Sequence, residues 1–128
     1  MSFNWGEFLV LAFSLREKPH SPGPKEASLR TAISRAYYAA FCSARNFARD
    51  HEGLALTNTG QDHFQVISHF QTANDSRYRK IGAALDRLRM NRSKADYGDA
   101  VDALPSVDLV SVHMAEGLLN DLTSLKQS

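Results

Sequence analysis

The chain has 128 residues and a mass of 14.2 kDa, one domain's worth, and a chain of that size buries roughly two thirds of its unfolded surface. With 43% hydrophobic and 23% charged residues it has the composition of a folded globular protein. A net charge of +1 excludes a uniformly basic nucleic-acid coat while leaving room for a local basic patch. The single cysteine, Cys42, excludes an intrachain disulfide and any multi-cysteine metal cage. The longest apolar stretch, Phe8 to Phe13, is far short of a membrane span. Acidic Glu7 stands where a signal peptide would carry basic residues, so a soluble, cytoplasmic protein is expected.

Strand-type alternation is nearly absent, and five segments carry helical periodicity instead. The first spans about Asn4 to Glu17, with Trp5, Phe8, Leu9, Ala12 and Leu15 on one face; the prolines at 19, 22 and 24 forbid its continuation. The second spans Lys25 to His51 with Ile33, Tyr37, Ala40, Ala44 and Phe47 inward, and Gly53 follows as a C-terminal cap. Its alanines make a smooth surface that a neighbouring helix can approach closely. The third is short, Gln61 to Ala73, with Phe64, Ile67 and Phe70 expected inward. Asn74-Asp75-Ser76 breaks the chain with capping chemistry before the fourth, Arg77 to Tyr97, striped by Ile81, Ala84, Leu85 and Leu88. Gly98 ends it. Pro105 opens the fifth, which runs to Leu125 with Val107, Val110, Met114, Leu118, Leu122 and Leu125 on its stripe. The pattern predicts an all-α, four- to five-helix up-and-down antiparallel bundle forming one domain.

Common catalytic templates are missing. His63 and His69 lie six apart, about 120° out of phase on a helix, and no His-Glu-x-x-His or paired Glu-x-x-His occurs, so no metal is expected. The five histidines read as helix-end or surface residues. Cys42 sits mid-helix, where a small buried apolar residue is its ordinary role. The glycines are scattered singly, with no phosphate-cradling loop and no nucleophile elbow, and no cofactor is expected.

The fourth helix stands apart in charge. Between Arg77 and Lys94, the basic residues Arg77, Arg79, Lys80, Arg87, Arg89, Arg92 and Lys94 face a single acid, Asp86. That is a net +6, leaving about −5 on the rest of the chain. Such clustering is either a solvated face balanced by acidic neighbours or a contact surface for phosphates. With Ile81 at zero on a helical wheel, Leu85 falls near +40°, Leu88 near −20° and Arg92 near +20°. Arg92 therefore continues the apolar stripe, and a guanidinium there needs a partner or a cavity. Asp96, four residues on, could lock it in an ion pair; alternatively Arg92 holds a phosphate in a cleft.

Taken together, Arg35-Ala36-Tyr37-Tyr38-Ala39-Ala40-Phe41, His63-Phe64-Gln65-Val66-Ile67, Leu85-Asp86-Arg87-Leu88-Arg89, and Arg92 with Ala95-Asp96-Tyr97 resemble the HEPN superfamily, in particular its small stand-alone prokaryotic branch. The likeness covers roughly Leu29 to Tyr97 in order and spacing. It implies a helical bundle, usually a homodimer. It also implies a role in RNA cleavage, or in partnership with a small nucleotidyltransferase-like protein, often as a toxin–antitoxin pair. The family's metal-independent ribonucleases pair a phosphate-binding arginine with a histidine four to six residues later, which helps the 2′-hydroxyl attack the adjacent phosphodiester. Here Arg92 is followed at the matching place by Tyr97, and a tyrosine with a pKa near 10 is a poor base at neutral pH. The resemblance thus points to an RNA-binding protein or weak ribonuclease centred on Arg92, Asp96 and Tyr97. Arg77, Arg79, Lys80, Arg87, Arg89 and Lys94 are its candidate nucleic-acid contacts. The alternative is a non-enzymatic interaction module that dimerises or binds a partner through a second strip on the long helix, Tyr38, Cys42, Arg45 and Arg49.

Overall fold

A computed structural model describes residues 3–17 and 25–128; the expected proline stop at 19–24 and His20 lie outside the described residues. The described chain forms five helices: α1 (Gly6–Glu17), α2 (Lys25–Glu52), α3 (Gln61–Gln71), α4 (Ser76–Tyr97) and α5 (Leu104–Lys126). The stop and start signals act as their chemistry predicts. Asn4 Oδ1 accepts from the Gly6 N–H at 3.0 Å to start α1. Asp75, the α4 N-cap, accepts from the Arg77 N–H at 2.8 Å. Gly53 follows α2 at φ 69°, in the left-handed region that glycine enters without a steric penalty.

α2 touches all four other helices, because Ala32, Ala36, Ala39, Ala40, Ala44 and Ala48 are all buried and let backbones approach from several sides. The long helices alternate in direction. Arg30 at the start of α2 donates to the carbonyls of Ala95 and Gly98 at the end of α4, whereas Glu52 at the end of α2 accepts from Tyr78 at the start of α4. Asn91–Ser111 and Lys80–Asp121 set α4 against α5 in the same antiparallel manner. Short α3 lies alongside α2 in the same sense: its first turn reaches Tyr37 and its last reaches Glu52. The segment between them doubles back, packing Leu54 and Leu56 on the core. Buried Asp62 gathers its end by accepting from the Thr57 and Asn58 amides at 2.8 and 2.9 Å.

Two expected core faces are corrected. Val110 is exposed, and α5 buries Asp108, Ser111, Val112 and Ala115 instead. Each buried polar side chain there has a partner on another helix: Ser111 accepts from Asn91 Nδ2 at 3.1 Å and Asp108 accepts from Arg16 Nε at 2.8 Å. Those pairings turn the helix away from the face that apolar residues alone would choose. Phe64, expected inward, is 77% exposed; α3 buries Asp62, Val66, Ile67 and Phe70. No described helix is long and apolar enough to cross a membrane.

α3 and α4 meet closely at Gly82, where a β-carbon would stand 2.6 Å from the Gln71 backbone nitrogen and 3.0 Å from its Cα. Backbone cannot yield as a flexible side chain would. Gly82→Ala should therefore destabilise the protein by about 1–3 kcal/mol, despite the helix propensity that alanine adds. Chemical denaturation checks this, and a stabilised variant would contradict the close approach. Asp108 supplies a second prediction. Burial pushes its carboxyl up to about 6, with Arg16 only partly offsetting the cost, and its Oδ2 has no hydrogen-bond partner. Because the folded pKa lies above the unfolded one, folding penalises the ionised form. The stability from this group is greatest below the ordinary aspartate range and falls by up to about 3 kcal/mol as pH rises to about 6. Relative to wild type, Asp108→Asn should gain stability progressively over that interval in melting curves; a difference independent of pH would refute the assignment.

Candidate functional site

From the Gly82–Gln71 contact, α3 and α4 frame a cleft of about 670 Å³. α4 supplies Asp86, Arg89 and Arg92, one turn apart; α3 supplies His63, Phe64, Ile67 and Gln71; α2 supplies Tyr38. The wheel placement of Arg92 holds: its side chain is 16% exposed, continuing the row of Ile81, Leu85 and Leu88. Its guanidinium carbon lies 5.2 Å from the Tyr37 ring centre and 5.8 Å from that of Tyr38, within cation–π range. The ion pair with Asp96 exists, but at 3.7 Å it is too long for a hydrogen bond, and Arg92 Nε has no hydrogen-bond partner. The lock is thus loose and leaves donor capacity unspent.

The other expected site residues separate. Asp96 faces a different hollow, lined by Arg30, Ser34 and Arg35, where Ser34 Oγ lies 3.5 Å from its Oδ2. Tyr97 is 77% exposed and lines neither hollow. Among the basic residues of α4, Arg89 alone joins Arg92 in the cleft. Arg77 pairs with Asp75 at 2.8 Å, Arg79 donates to the carbonyls of Ala73 and Asn74 at 2.9 and 2.6 Å, and Lys80 reaches Asp121 at 3.4 Å. These three close the α3–α4 turn and brace α5. Arg87 and Lys94 are exposed.

His63 is a helix-end residue, in the first turn of α3, but it is tied to the bundle rather than free at the surface. Its ring lies flat on Phe41, with centroids 4.0 Å apart and planes within 2°, and its Nδ1 is hydrogen-bonded to the Tyr37 hydroxyl. Tyr37 is fully buried, and burial pushes its hydroxyl far up, so it remains protonated. No other acceptor for that hydroxyl occurs among the described residues. It therefore donates to Nδ1, which assigns the ring proton of neutral His63 to Nε2. Burial lowers the His63 pKa, and the nearby positive charges of Arg92 and Arg89 lower it further, so the ring is neutral at physiological pH. The cleft is thus lined by donors: two guanidinia and an imidazole N–H. Its carboxylate, Asp86, accepts from Arg89 Nη2 at 3.1 Å. Such a site suits an anion with several acceptor oxygens. Among the described residues, no three His, Cys, Asp or Glu side chains come together as metal ligands.

The strip of Tyr38, Cys42, Arg45 and Arg49 is largely covered by the chain itself. Cys42 is buried, and Arg35 bridges Phe8 of α1 and Tyr38 at 4.7 and 5.1 Å. Arg45 lies 5.4 Å from the Trp5 ring, and exposed Arg49 pairs with neighbouring Asp50. Cys42 is the buried apolar residue expected, its thiol pKa raised by burial. In comparisons with protein-family models, curated proteins and solved structures, the chain has no match.

The tautomer assignment has a direct check. Nitrogen NMR of the imidazole at neutral pH should show His63 with a protonated Nε2 and an unprotonated Nδ1, titrating below the ordinary histidine range. A protonated Nδ1 would refute it.

Proposed function

We propose that this chain is a HEPN-like RNA-binding protein that holds the phosphodiester backbone in the cleft between α3 and α4. The observation that carries the reading is Arg92, a mostly buried guanidinium held only by a long 3.7 Å ion pair, lining a cleft that also receives Arg89. An arginine presents several donors in a planar fork, the arrangement that suits phosphate oxygens. His63 Nε2–H adds a neutral donor. Phosphate contacts of this kind position a nucleic acid without reading its sequence.

Binding, rather than cleavage, is the activity these groups support. Attack by a 2′-hydroxyl needs a base to take its proton, and the imidazole of the cleft is not free to be one. His63 Nδ1 is occupied by the Tyr37 hydroxyl, Nε2 carries the proton, and Asp86 is engaged by Arg89. Tyr97, at the family's histidine position, is exposed and outside the cleft. The homodimer and the nucleotidyltransferase-like partner implied by the resemblance belong to the same proposal.

The test is RNA binding measured across a salt series. Wild type should bind a short RNA with an affinity that falls as salt rises. Arg89→Ala, whose side chain is partly exposed and carries little of the core, should weaken binding and reduce the slope of log affinity against log salt by about one. Arg92→Gln should weaken binding at least as much. Affinity indifferent to both substitutions, or no binding by wild type, would overturn the reading.

A further inference from the structure

Phe64 is the feature of the cleft that phosphate binding leaves unexplained. It sits one residue after His63 and lines the same cavity as Arg89 and Arg92, yet it is the most exposed phenylalanine among the described residues, at 77%. Burying a phenylalanine removes apolar surface from water at a gain in stability, and α3 forgoes that gain here. It does so because the inward positions are already filled. His63 is fixed by Tyr37 and Phe41, and Val66, Ile67 and Phe70 supply the buried face. The phenyl ring is left standing at the edge of a donor-lined cleft, with Tyr38 as a second aromatic wall.

We infer that Phe64 is a stacking platform for an unpaired nucleobase, which makes the cleft selective for single-stranded RNA. This inference rests on the RNA-binding reading above and specifies its substrate class. An aromatic ring beside arginines is the combination by which single strands are held: the guanidinia track the backbone, and a base lays its π-face on the ring whatever its identity. A duplex cannot use the platform, since its bases are already stacked and paired, and reaching Phe64 would require one of them to flip out. At about 670 Å³ the cleft has the size of a small-molecule site, room for a nucleotide rather than a helix. The lining complements both parts of a nucleotide: it offers donors for a phosphate and an uncharged ring for a base in one cavity.

The experiment uses fluorescence anisotropy with a labelled single-stranded RNA of about a dozen mixed-sequence nucleotides, and with the same strand annealed to its complement. Wild type should bind the single strand roughly ten-fold or more tighter than the duplex. Phe64→Ala should lose roughly ten-fold on the single strand with the salt slope unchanged, because stacking, not phosphate contact, has been removed. Because the side chain is exposed, the substitution should leave the fold intact, which circular dichroism checks. Phe64→Trp should retain the affinity and add a tryptophan signal, above that of Trp5, which the single strand quenches. Equal binding of strand and duplex, or a Phe64→Ala variant that binds as wild type, overturns the inference. If that unaffected variant also sediments as a smaller species, Phe64 belongs instead to a seam between two copies of the chain. These results leave RNA binding standing if Arg89→Ala and Arg92→Gln still weaken it. Absence of RNA binding by wild type overturns both readings.

Discussion

The site depends on an absence, the missing side chain at Gly82. It lets the last turn of α3 press against the α4 backbone, with no room for even a β-carbon beside Gln71. With α3 fixed at that end, the cleft lies along the remainder of the two helices, and the residues that line it are those one, two and three turns further along each. On α4 these are Asp86, Arg89 and Arg92; on α3 they are Ser68, Ile67, Phe64 and His63. The fixed approach therefore decides which side chains share a cavity. It also explains why a helix of only 11 residues can hold a definite position without much core of its own.

The other end of α3 is held by a different kind of bond. The Tyr37 hydroxyl, buried at the centre of α2, needs a partner, and His63 supplies it. Stacking on Phe41 fixes the plane of the imidazole. A buried polar pair thus has two consequences at once. It anchors the first turn of α3 to the bundle, and it uses the ring nitrogen that could have served as a base. The lone pair that a base would use is the one that satisfies the buried hydroxyl. That is the physical reason for reading a binding cleft where the family resemblance alone would suggest cleavage.

The helices were legible because periodicity and punctuation agreed: Asp75 caps α4, Gly53 turns left-handed after α2, and Pro105 lies in the first turn of α5. The inward tilt of Arg92 was legible for the same reason, since its angle follows from Ile81, Leu85 and Leu88 alone. What could not be read locally were the faces set by distant polar partners. His63 enters the interior because of a hydroxyl 26 residues away. Asp108 and Ser111 turn α5 inward because of Arg16 and Asn91. A wheel that counts only apolar residues places Phe64 and Val110 inside and the polar residues out, which inverts both. The basic run of α4 shows the complementary failure. Its charge was evident, but its division into turn-closing residues (Arg77, Arg79, Lys80) and cleft residues (Arg89, Arg92) depends on where the helix meets α3 and α5. A His adjacent to a Phe at the start of a short helix was the available signal, and it becomes informative only once Tyr37 is known to lie beside it.

The central claim is that single-stranded RNA lies along the cleft between α3 and α4. The most direct measurement is ultraviolet cross-linking of the full chain to a single-stranded RNA, with the attached residues identified by mass spectrometry. The account predicts adducts on Phe64 or Tyr38, the aromatic side chains lining the cleft. Adducts confined to surfaces remote from it, such as the Trp5 end of α1, would contradict the account.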